Sequence, residues 1–221
     1  MGLLGLVLPR RCAGCDVPGP VLCERCLAAL VRIAPPFCER CGCPGAWPVR
    51  RCVECRGRRL AFTRARAALI YDARSRQIVS AWKERGRRDL AHVLADLVAE
   101  VIARPAVDGL VAVPGDRERG RERGHVPAAR LAEALGVRWQ LPVAFLLART
   151  EAMSRRQAGL PRAERRANVR GAFTAVDQAP ARIALVDDVY TTGATGSACA
   201  TELRRAGAGH VEVICLARTV R

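Results

Sequence analysis

The order of apolar and polar residues after residue 62 predicts strands and helices in alternation. Continuous apolar runs over residues 108–114 and 181–189 are typical of strands that are buried on both faces. Apolar positions three or four residues apart predict amphipathic helices, and the glycines at positions 86 and 136 are predicted to end two of them. The predicted helices cover residues 75–86, 89–103, 126–136 and 193–208, and the predicted strands cover residues 66–72, 108–114, 143–149, 181–189 and 210–218.

This alternation predicts an α/β fold in which a parallel sheet is flanked by helices on both faces. Ligands of such sheets bind beyond the carboxyl ends of the strands. The first 60 residues lack the pattern, so we expect a small module over residues 1–60 and an α/β domain over residues 61–221.

The small module is defined by its cysteines. Nine of the eleven cysteines of the chain lie between Cys12 and Cys55, and eight of them form four C-x-x-C pairs. A two-residue spacer lets two thiolates reach one tetrahedral ion, and a site closed by four cysteines is typical of structural zinc. The simplest pairing is sequential and predicts two zinc sites, whose ligands are Cys12, Cys15, Cys23 and Cys26 in the first and Cys38, Cys41, Cys52 and Cys55 in the second.

Other arrangements of these cysteines are compatible with the sequence. An interleaved pairing of the four C-x-x-C motifs remains open, and Cys43 is left over as a bystander. A disulfide framework is the alternative to zinc. It requires an oxidising compartment, whereas the apolar run over residues 2–8 lacks the features of a secretory signal and predicts a docking helix in a cytoplasmic protein. Cys199 and Cys215 lie in apolar contexts and are predicted to be core residues.

The chain is strongly basic. Its formal charge is +16, and its sequence pI is about 10.7. This favours polyanionic ligands, although Lys83 is the only lysine among 37 basic residues and the arginine excess is also explained by compositional bias. Residues 50–90 hold thirteen basic and four acidic residues, a candidate track for single-stranded nucleic acid. The sequence contains no run of 18 apolar residues, so no membrane span is predicted.

The most informative motif is VDDVYTTGATG, over residues 186–196. An apolar strand leads into Asp187 and Asp188, and a turn of small residues over 191–195 opens the next helix. Free backbone amides and the helix N-terminus make such a turn a nest for phosphate, and a carboxylate pair accepts hydrogen bonds from a vicinal diol. The motif therefore predicts a ribose 5-phosphate ligand, and the alternative is that the two Asp residues only cap the turn. It is not a Walker loop, because no G-K-[ST] follows the glycines.

This pattern resembles the phosphoribosyl diphosphate (PRPP) motif of type I phosphoribosyltransferases. With the C-x-x-C pairs, YDA at 71–73, WKERG at 82–86, VAVP at 111–114, RERGH at 121–125 and the arginine-rich stretch 155–173, the chain is similar nearly throughout to the ComF family of competence-associated proteins. The resemblance implies a phosphoribosyltransferase-like sheet with an N-terminal zinc module of the four-cysteine type. One departure is RGHVPA at 123–128, where the family usually reads R-G-[FY]-N-Q-A.

The resemblance also implies roles for individual residues. Asp187 and Asp188 hold the ribose diol, Lys83 faces pyrophosphate, and Mg²⁺ accompanies PRPP. A lone lysine in an arginine-rich chain also indicates a site that needs a compact ammonium. Arg121 and Arg123 are candidates for a phosphate-gripping segment, and residues 155–170 are a candidate lid. The remaining predicted phosphate-binding residues are Val113, Pro114, Val186, Thr191, Thr192, Gly193, Ala194 and Thr195.

Two classes of function fit these predictions. The first is a transferase that moves a phosphoribosyl group from PRPP to an acceptor. The second is a non-catalytic protein that uses the same pocket as a clamp or sensor for single-stranded DNA or nucleotides, alongside other competence proteins during DNA uptake, as the family name implies. The fold alone does not choose between them.

Overall fold

The computed structural model describes residues 10–115, 125–150 and 171–220. Five parallel strands form the main sheet in the order β1-β7-β6-β2-β3, and β4 and β5 form a separate antiparallel pair. This confirms the predicted fold class. The helices are α1 (Glu24–Ala28), α2 (Ala73–Glu84), α3 (Leu90–Val101), α4 (Pro127–Trp139) and α5 (Ala194–Arg205). The strands are β1 (Arg64–Ile70), β2 (Gly109–Ala112), β3 (Val143–Ala144), β4 (Leu147–Arg149), β5 (Phe173–Ala175), β6 (Arg182–Tyr190) and β7 (His210–Arg218).

The centre of the sheet is formed by the two longest strands, β6 and β7. Their apolar residues are almost completely buried, as expected of parallel strands that are covered on both faces. The register pairs Val111 of β2 with Leu185 of β6, and Leu185 with Val213 of β7. Because these strands run parallel, their carboxyl ends meet at one edge of the sheet, where β6 ends in Asp187 to Tyr190.

Helix α2 lies beside this edge and carries Lys83 in its last turn. It begins with a capping box, in which the Asp72 side chain accepts hydrogen bonds from the amides of Arg74 and Ser75. Ile78, Val79 and Trp82 are buried in the core cluster that also contains apolar residues of β1. The helix ends two residues before Gly86, whose φ of +65° suits a chain reversal.

The predicted end of α4 at Gly136 is wrong. The helix continues to Trp139 and ends at Gln140, which takes the left-handed conformation with φ 54°. Gly136 lies inside the helix because the returning chain passes close to it. A Cβ at this position would lie 2.5 Å from Cγ2 of Val143 and 3.0 Å from the carbonyl oxygen of Leu141. The glycine therefore allows close packing of β3 and does not terminate the helix.

The single strand predicted over residues 143–149 is also wrong. Val143 and Ala144 pair with β2 in the main sheet, whereas residues 147–149 pair with β5 in the antiparallel sheet. Between them the chain leaves the main sheet at Phe145, which is 57 % exposed. The apolar run thus serves two different sheets, and the second sheet brings Arg149 and Phe173 to the carboxyl edge of the first.

The Cys-rich residues pack into both core clusters of the molecule. Cys12 and Leu22 belong to the cluster that contains Trp82 of α2, and Cys38 and Cys55 belong to the cluster that contains the apolar face of α5. The second C-x-x-C pair, Cys23 and Cys26, opens helix α1. Residues 31–33 hydrogen-bond to β1 and cover its edge. The domain boundary at residue 60 stays a prediction, and the docking helix predicted over residues 2–8 lies outside the described residues.

Within the described segments, every helix is too short or too polar to cross a bilayer.

Candidate functional site

A cavity of about 870 Å³ opens at the carboxyl edge of the main sheet. It brings together residues that the sequence assigned to one site, namely Lys83, Val113, Pro114, Asp187, Asp188, Thr191, Thr192, Ala194 and Thr195. Val186 does not line the cavity, because its side chain is fully buried in the core below Asp187. The predicted gripping residues Arg121 and Arg123 and the predicted lid over residues 155–170 lie outside the described residues.

The acid pair occupies the end of β6. The Oδ1 atom of Asp187 accepts a hydrogen bond of 2.8 Å from the backbone amide of Asp188. Asp188 Oδ2 lies 2.5 Å from the ammonium of Lys83, and both side chains are mostly buried, with exposed fractions of 17 % and 25 %. The cavity therefore holds two carboxylates and one ammonium at close range, and Lys83 contacts an acid of the pair in this structure.

The surroundings of Asp187 favour its neutral form. Burial and then the neighbouring charge of Asp188 raise the pKa of Asp187 to about 7, against the opposing effects of Lys83 and Arg149. Its ordinary value is 3.8. A group with a raised folded-state pKa binds more protons in the native state than in the unfolded chain between these two values. The contribution of Asp187 to the free energy of unfolding therefore falls as the pH rises from about 4 to about 7.

We predict that Asp187→Asn stabilises the protein above pH 7 and has little effect near pH 4. The neutral amide avoids the cost of a buried charge, and its oxygen still accepts the Asp188 amide. The expected gain is on the order of a few kcal/mol at full ionisation. Urea unfolding of both proteins at pH 4.5 and pH 8 measures it, and a difference that does not change with pH would contradict this assignment.

The turn between β6 and α5 forms the other wall of the cavity. The Thr192 hydroxyl accepts a hydrogen bond of 3.3 Å from the amide of Ala194, the first residue of α5. Gly193 has φ +77°, and a Cβ there would collide with the hydroxyl of Tyr190. Glycine is thus required twice, for the left-handed backbone and for the close approach of Tyr190. The predicted helix start is confirmed, because α5 begins at Ala194. Binding of phosphate by the turn over residues 191–195 stays a prediction.

Several lining residues were not predicted from the sequence. Arg76, Arg149, Phe173 and Thr219 all face the cavity. Arg149 was hidden because residues 143–149 read as one strand of the main sheet. Arg76 does not stand out in an arginine-rich chain. The one signal in the sequence is that it lies in the first turns of a helix that directly follows the end of a predicted strand.

The two predicted cysteine groups are assembled in the structure. The sulfur atoms of Cys12, Cys15, Cys23 and Cys26 lie within 4.8 Å of one another, and so do those of Cys38, Cys41, Cys52 and Cys55. The pairing is sequential. Individual Sγ–Sγ distances are 3.8, 3.7, 3.4 and 3.9 Å, close to the value of about 3.8 Å that a tetrahedral ion with Zn–S bonds of about 2.3 Å requires. Both groups therefore fit structural zinc.

In each group the pKa of at least one thiol is lowered, which favours the thiolate form. Burial opposes ionisation of Cys12, but backbone amides, including that of Cys23 at 3.3 Å, lower its pKa to about 6. Cys38 behaves alike, because burial is outweighed by backbone amides, including that of Cys52 at 3.3 Å, and its pKa falls to about 7. Backbone amides that donate to sulfur in this way are expected around zinc-binding thiolates, because they stabilise the negative charge on sulfur. Cys43, Cys199 and Cys215 stand outside both groups and are buried.

The second cysteine group is linked to the end of the main sheet. Arg218, the last residue of β7, is fully buried and donates hydrogen bonds to Glu54 at 2.6 Å and to the Cys41 carbonyl at 2.5 Å. Its guanidinium also lies 5.1 Å from the ring centroid of Tyr190. Because Glu54 lies between Cys52 and Cys55, the contacts of Arg218 join the second cysteine group to Tyr190. Tyr190 directly precedes the turn over residues 191–195, which we call the phosphate turn after its predicted ligand.

The basic stretch 50–90 offers few free aromatic faces. Phe62 and Trp82 are 0 % exposed, so they are unable to stack on bases, whereas Trp47, just outside the stretch, is 71 % exposed. Some of its arginines hold the fold together, for example Arg64, which pairs with Glu212 at 2.8 Å. Binding of single-stranded nucleic acid to this stretch stays a prediction.

The helix-flanked parallel sheet and the two four-cysteine groups together define a phosphoribosyltransferase-like fold with a Cys-rich module. Comparison with known proteins gives a more specific relation. Over 97 % of its length the chain is 29 % identical to the DNA utilization protein YhgH of Salmonella typhi and to that of Salmonella typhimurium (strain LT2), each covered over 100 % of its own length. This similarity confirms the resemblance to the ComF family. No family model matches the chain.

Among solved structures, the glutamine PRPP amidotransferase of B. subtilis complexed with ADP and GMP matches 58 % of this chain, with 23 % identity and a TM-score of 0.42. The match spans 26 % of that enzyme, about a quarter of its length. The purine phosphoribosyltransferase of Pyrococcus horikoshii matches 60 % of this chain and 72 % of its own, with 21 % identity and a TM-score of 0.30. These TM-scores are below 0.5, and the function proposed below rests on the site instead.

Proposed function

We propose that the cavity binds a 5-phosphoribosyl group and that the protein transfers this group from PRPP to an acceptor. The observation that carries the proposal is the presence of an acid pair and a phosphate turn as adjoining walls of one cavity. Carboxylates are poor partners for phosphate and good acceptors for hydroxyls, so the two walls call for a ligand with a phosphate at one end and a diol at the other.

Each wall has a separate task in this proposal. Thr191 to Thr195 and the N-terminus of α5 hold the 5′-phosphate, while Asp187 and Asp188 accept hydrogen bonds from the ribose hydroxyls. The turn at Val113 and Pro114 faces the pyrophosphate. Lys83 has three donors on its ammonium, so it contacts Asp188 and a pyrophosphate oxygen together.

Transfer at this site needs no protein nucleophile. The bond from C1′ to the pyrophosphate oxygen breaks, pyrophosphate leaves with the electron pair, and the acceptor forms the new bond to C1′. The residues contribute by holding the ribose and by compensating the charge of the leaving group. Mg²⁺, when bound with PRPP, would neutralise pyrophosphate. Asp187 and Asp188, the only carboxylates among the described lining residues, are the hard oxygen donors that suit it.

A second candidate is a binding protein without catalysis. It is favoured by the name of the similar proteins, which refers to DNA utilization, and by the net charge of +16. In this role the same cavity recognises the phosphoribosyl part of a nucleotide or of a single-stranded DNA end, in concert with other DNA-uptake proteins. Both candidates are compatible with a cytoplasmic location, because thiolate ligands persist in reducing surroundings.

Calorimetric titration with PRPP, ribose 5-phosphate and inorganic phosphate tests the proposal. We expect all three to bind, PRPP most tightly, because only PRPP contacts every wall. Release of pyrophosphate from PRPP in the presence of nucleobases then separates the candidates. Binding without release favours the non-catalytic role, and absence of PRPP and ribose 5-phosphate binding would overturn both.

A further inference from the structure

A second cavity, of about 510 Å³, adjoins the first across the phosphate turn. Thr192, Ala194 and Phe173 line both cavities, so little more than the turn separates them. One wall of the second cavity is a face of α5, and the opposite wall is the segment that follows the second cysteine group. The described lining includes Arg58, Arg59 and Leu60 of that segment and Ser197, Ala198 and Thr201 of α5.

The polar groups of this second cavity favour an anionic ligand. Ser197 is already used, since its hydroxyl accepts the amide of Ala61 at 3.0 Å and donates to the carbonyl of Arg59. Thr201 donates to the Ser197 carbonyl at 2.9 Å. Glu202, the only carboxylate among the described lining residues, is paired with Arg205 at 2.6 Å. Among the described lining side chains, the donors that remain are the Thr192 hydroxyl, at the boundary with the first cavity, and guanidinium groups.

Arg58 and Arg59 both line this cavity, and Arg58 contacts the phosphate turn. Arg58 donates from Nη1 to the carbonyl of Thr192 at 2.9 Å, which leaves its other nitrogen atoms for a ligand. The exposed side chain of Arg59 makes no ion pair or hydrogen bond within the described part of the chain. Leu60, Ala198 and Phe173 add apolar surface to the lining. A phosphodiester with a base or sugar packed on this apolar surface matches this combination.

The order of groups across the two cavities sets the polarity of such a ligand. The acid pair calls for free ribose hydroxyls, the turn calls for the 5′-phosphate of the same nucleotide, and the second cavity lies beyond that phosphate. In a nucleic-acid strand, a nucleotide with free hydroxyls is the 3′-terminal one, and its 5′-phosphate is esterified to the preceding nucleotide. A strand that enters with its 3′ end in the first cavity therefore passes over the turn into the second.

We propose that the two cavities together bind the 3′-terminal dinucleotide of a single strand, with Arg58 and Arg59 beside the preceding nucleotide. The inference rests on the proposed phosphoribosyl site and names a further ligand class for it. RNA offers a terminal diol and DNA a single 3′-hydroxyl to the acid pair. The two sources share the phosphodiester and differ in the number of hydroxyls that Asp187 and Asp188 accept.

Titration of the full chain with uridylyl-3′,5′-uridine (UpU), UMP and ribose 5-phosphate tests the inference. We expect UpU to bind about tenfold or more tightly than UMP, because the second nucleotide adds a contact with a guanidinium. A 3′-phosphate on UpU should remove most of the binding, since it blocks a hydroxyl and brings a negative charge to the acid pair. Thymidylyl-3′,5′-thymidine should bind more weakly than UpU, because its end offers one hydroxyl and not two. It should bind more tightly than TMP, because it has the second nucleotide.

Arg59→Glu is expected to abolish the advantage of UpU over UMP, measured as the ratio of the two dissociation constants. Arg56→Glu is the matched control, because Arg56 is exposed on the same segment and does not line the described part of the second cavity. The ratio should persist in this control. The inference would be overturned if the two variants gave equal ratios, or if the unmodified protein bound UpU no more tightly than UMP. In either case, retained binding of ribose 5-phosphate would leave the first site supported. Loss of ribose 5-phosphate binding would instead overturn the proposed function.

Discussion

Asp187→Asn combined with Asp188→Asn is expected to lower the affinity for PRPP and ribose 5-phosphate by about tenfold or more for each hydrogen bond weakened. A bond from a sugar hydroxyl to a carboxylate contributes about 1.5–3 kcal/mol, and an amide oxygen is a weaker acceptor. The fold should be retained, because above pH 7 the variant removes two adjacent like charges, and the side chain at position 187 keeps an oxygen for the amide of residue 188. Isothermal titration calorimetry measures the effect directly.

The ammonium of Lys83 makes this test stricter. It pairs with Asp188 at 2.5 Å and loses that partner in the double variant. With a quarter of its side chain exposed, Lys83 remains able to reach solvent or the pyrophosphate of PRPP. We therefore expect the loss of affinity to be larger for ribose 5-phosphate than for PRPP, since only PRPP offers Lys83 a new partner.

Thr192→Val is the matched variant on the phosphate side. It removes the hydroxyl that accepts the Ala194 amide and keeps the shape of the side chain. Binding of inorganic phosphate, ribose 5-phosphate and PRPP should all weaken, whereas the Asp variants should spare inorganic phosphate. Unchanged PRPP binding in the double Asp variant would show that the carboxylates only cap the turn.

The main strands could be predicted well from the sequence because burial on both faces leaves a continuous apolar run. The run 181–189 predicts β6, which spans Arg182–Tyr190, and the run 210–218 predicts β7, which spans His210–Arg218. The order of strands and motifs along the sequence also predicts which residues meet in the first cavity, since parallel strands all end at the same edge of a sheet. A motif at the end of one strand therefore meets the turn after another.

Other features depend on contacts that sequence patterns do not reveal. Gly136 ends a helix by every local rule, yet it lies inside α4 because β3 approaches it closely. Arg58 meets the Thr192 carbonyl across 134 residues of chain, and nothing near either residue signals the contact. The second cavity is built from three such separate segments, so the sequence pointed to the first cavity and not to its neighbour.

Cys41→Ser is expected to reduce the bound zinc from two ions per chain to one, whereas Cys43→Ser keeps both. Cys41 belongs to the second four-cysteine group, and Cys43, which lies two residues away and is also buried, belongs to neither group. Zinc affinities of Cys-rich sites correspond to about 10–16 kcal/mol, and much of this is folding free energy, so the loss of one ligand should also lower thermal stability substantially. Metal analysis of protein purified under reducing conditions gives the ratio.

The same variant should weaken PRPP binding, although Cys41 does not line the cavity. The Cys41 carbonyl accepts a hydrogen bond from Arg218, which also pairs with Glu54 and lies against Tyr190, the residue before the phosphate turn. Arg58, which follows the second cysteine group in sequence, donates to the Thr192 carbonyl of that turn. Loss of order around the second ion therefore removes support from the turn. Cys26→Ser disrupts the first four-cysteine group, which packs into the other core cluster, so it should lower PRPP affinity much less at equal loss of zinc. Protein without zinc, with these cysteines present as disulfides, would contradict the assignment of both groups as structural metal sites.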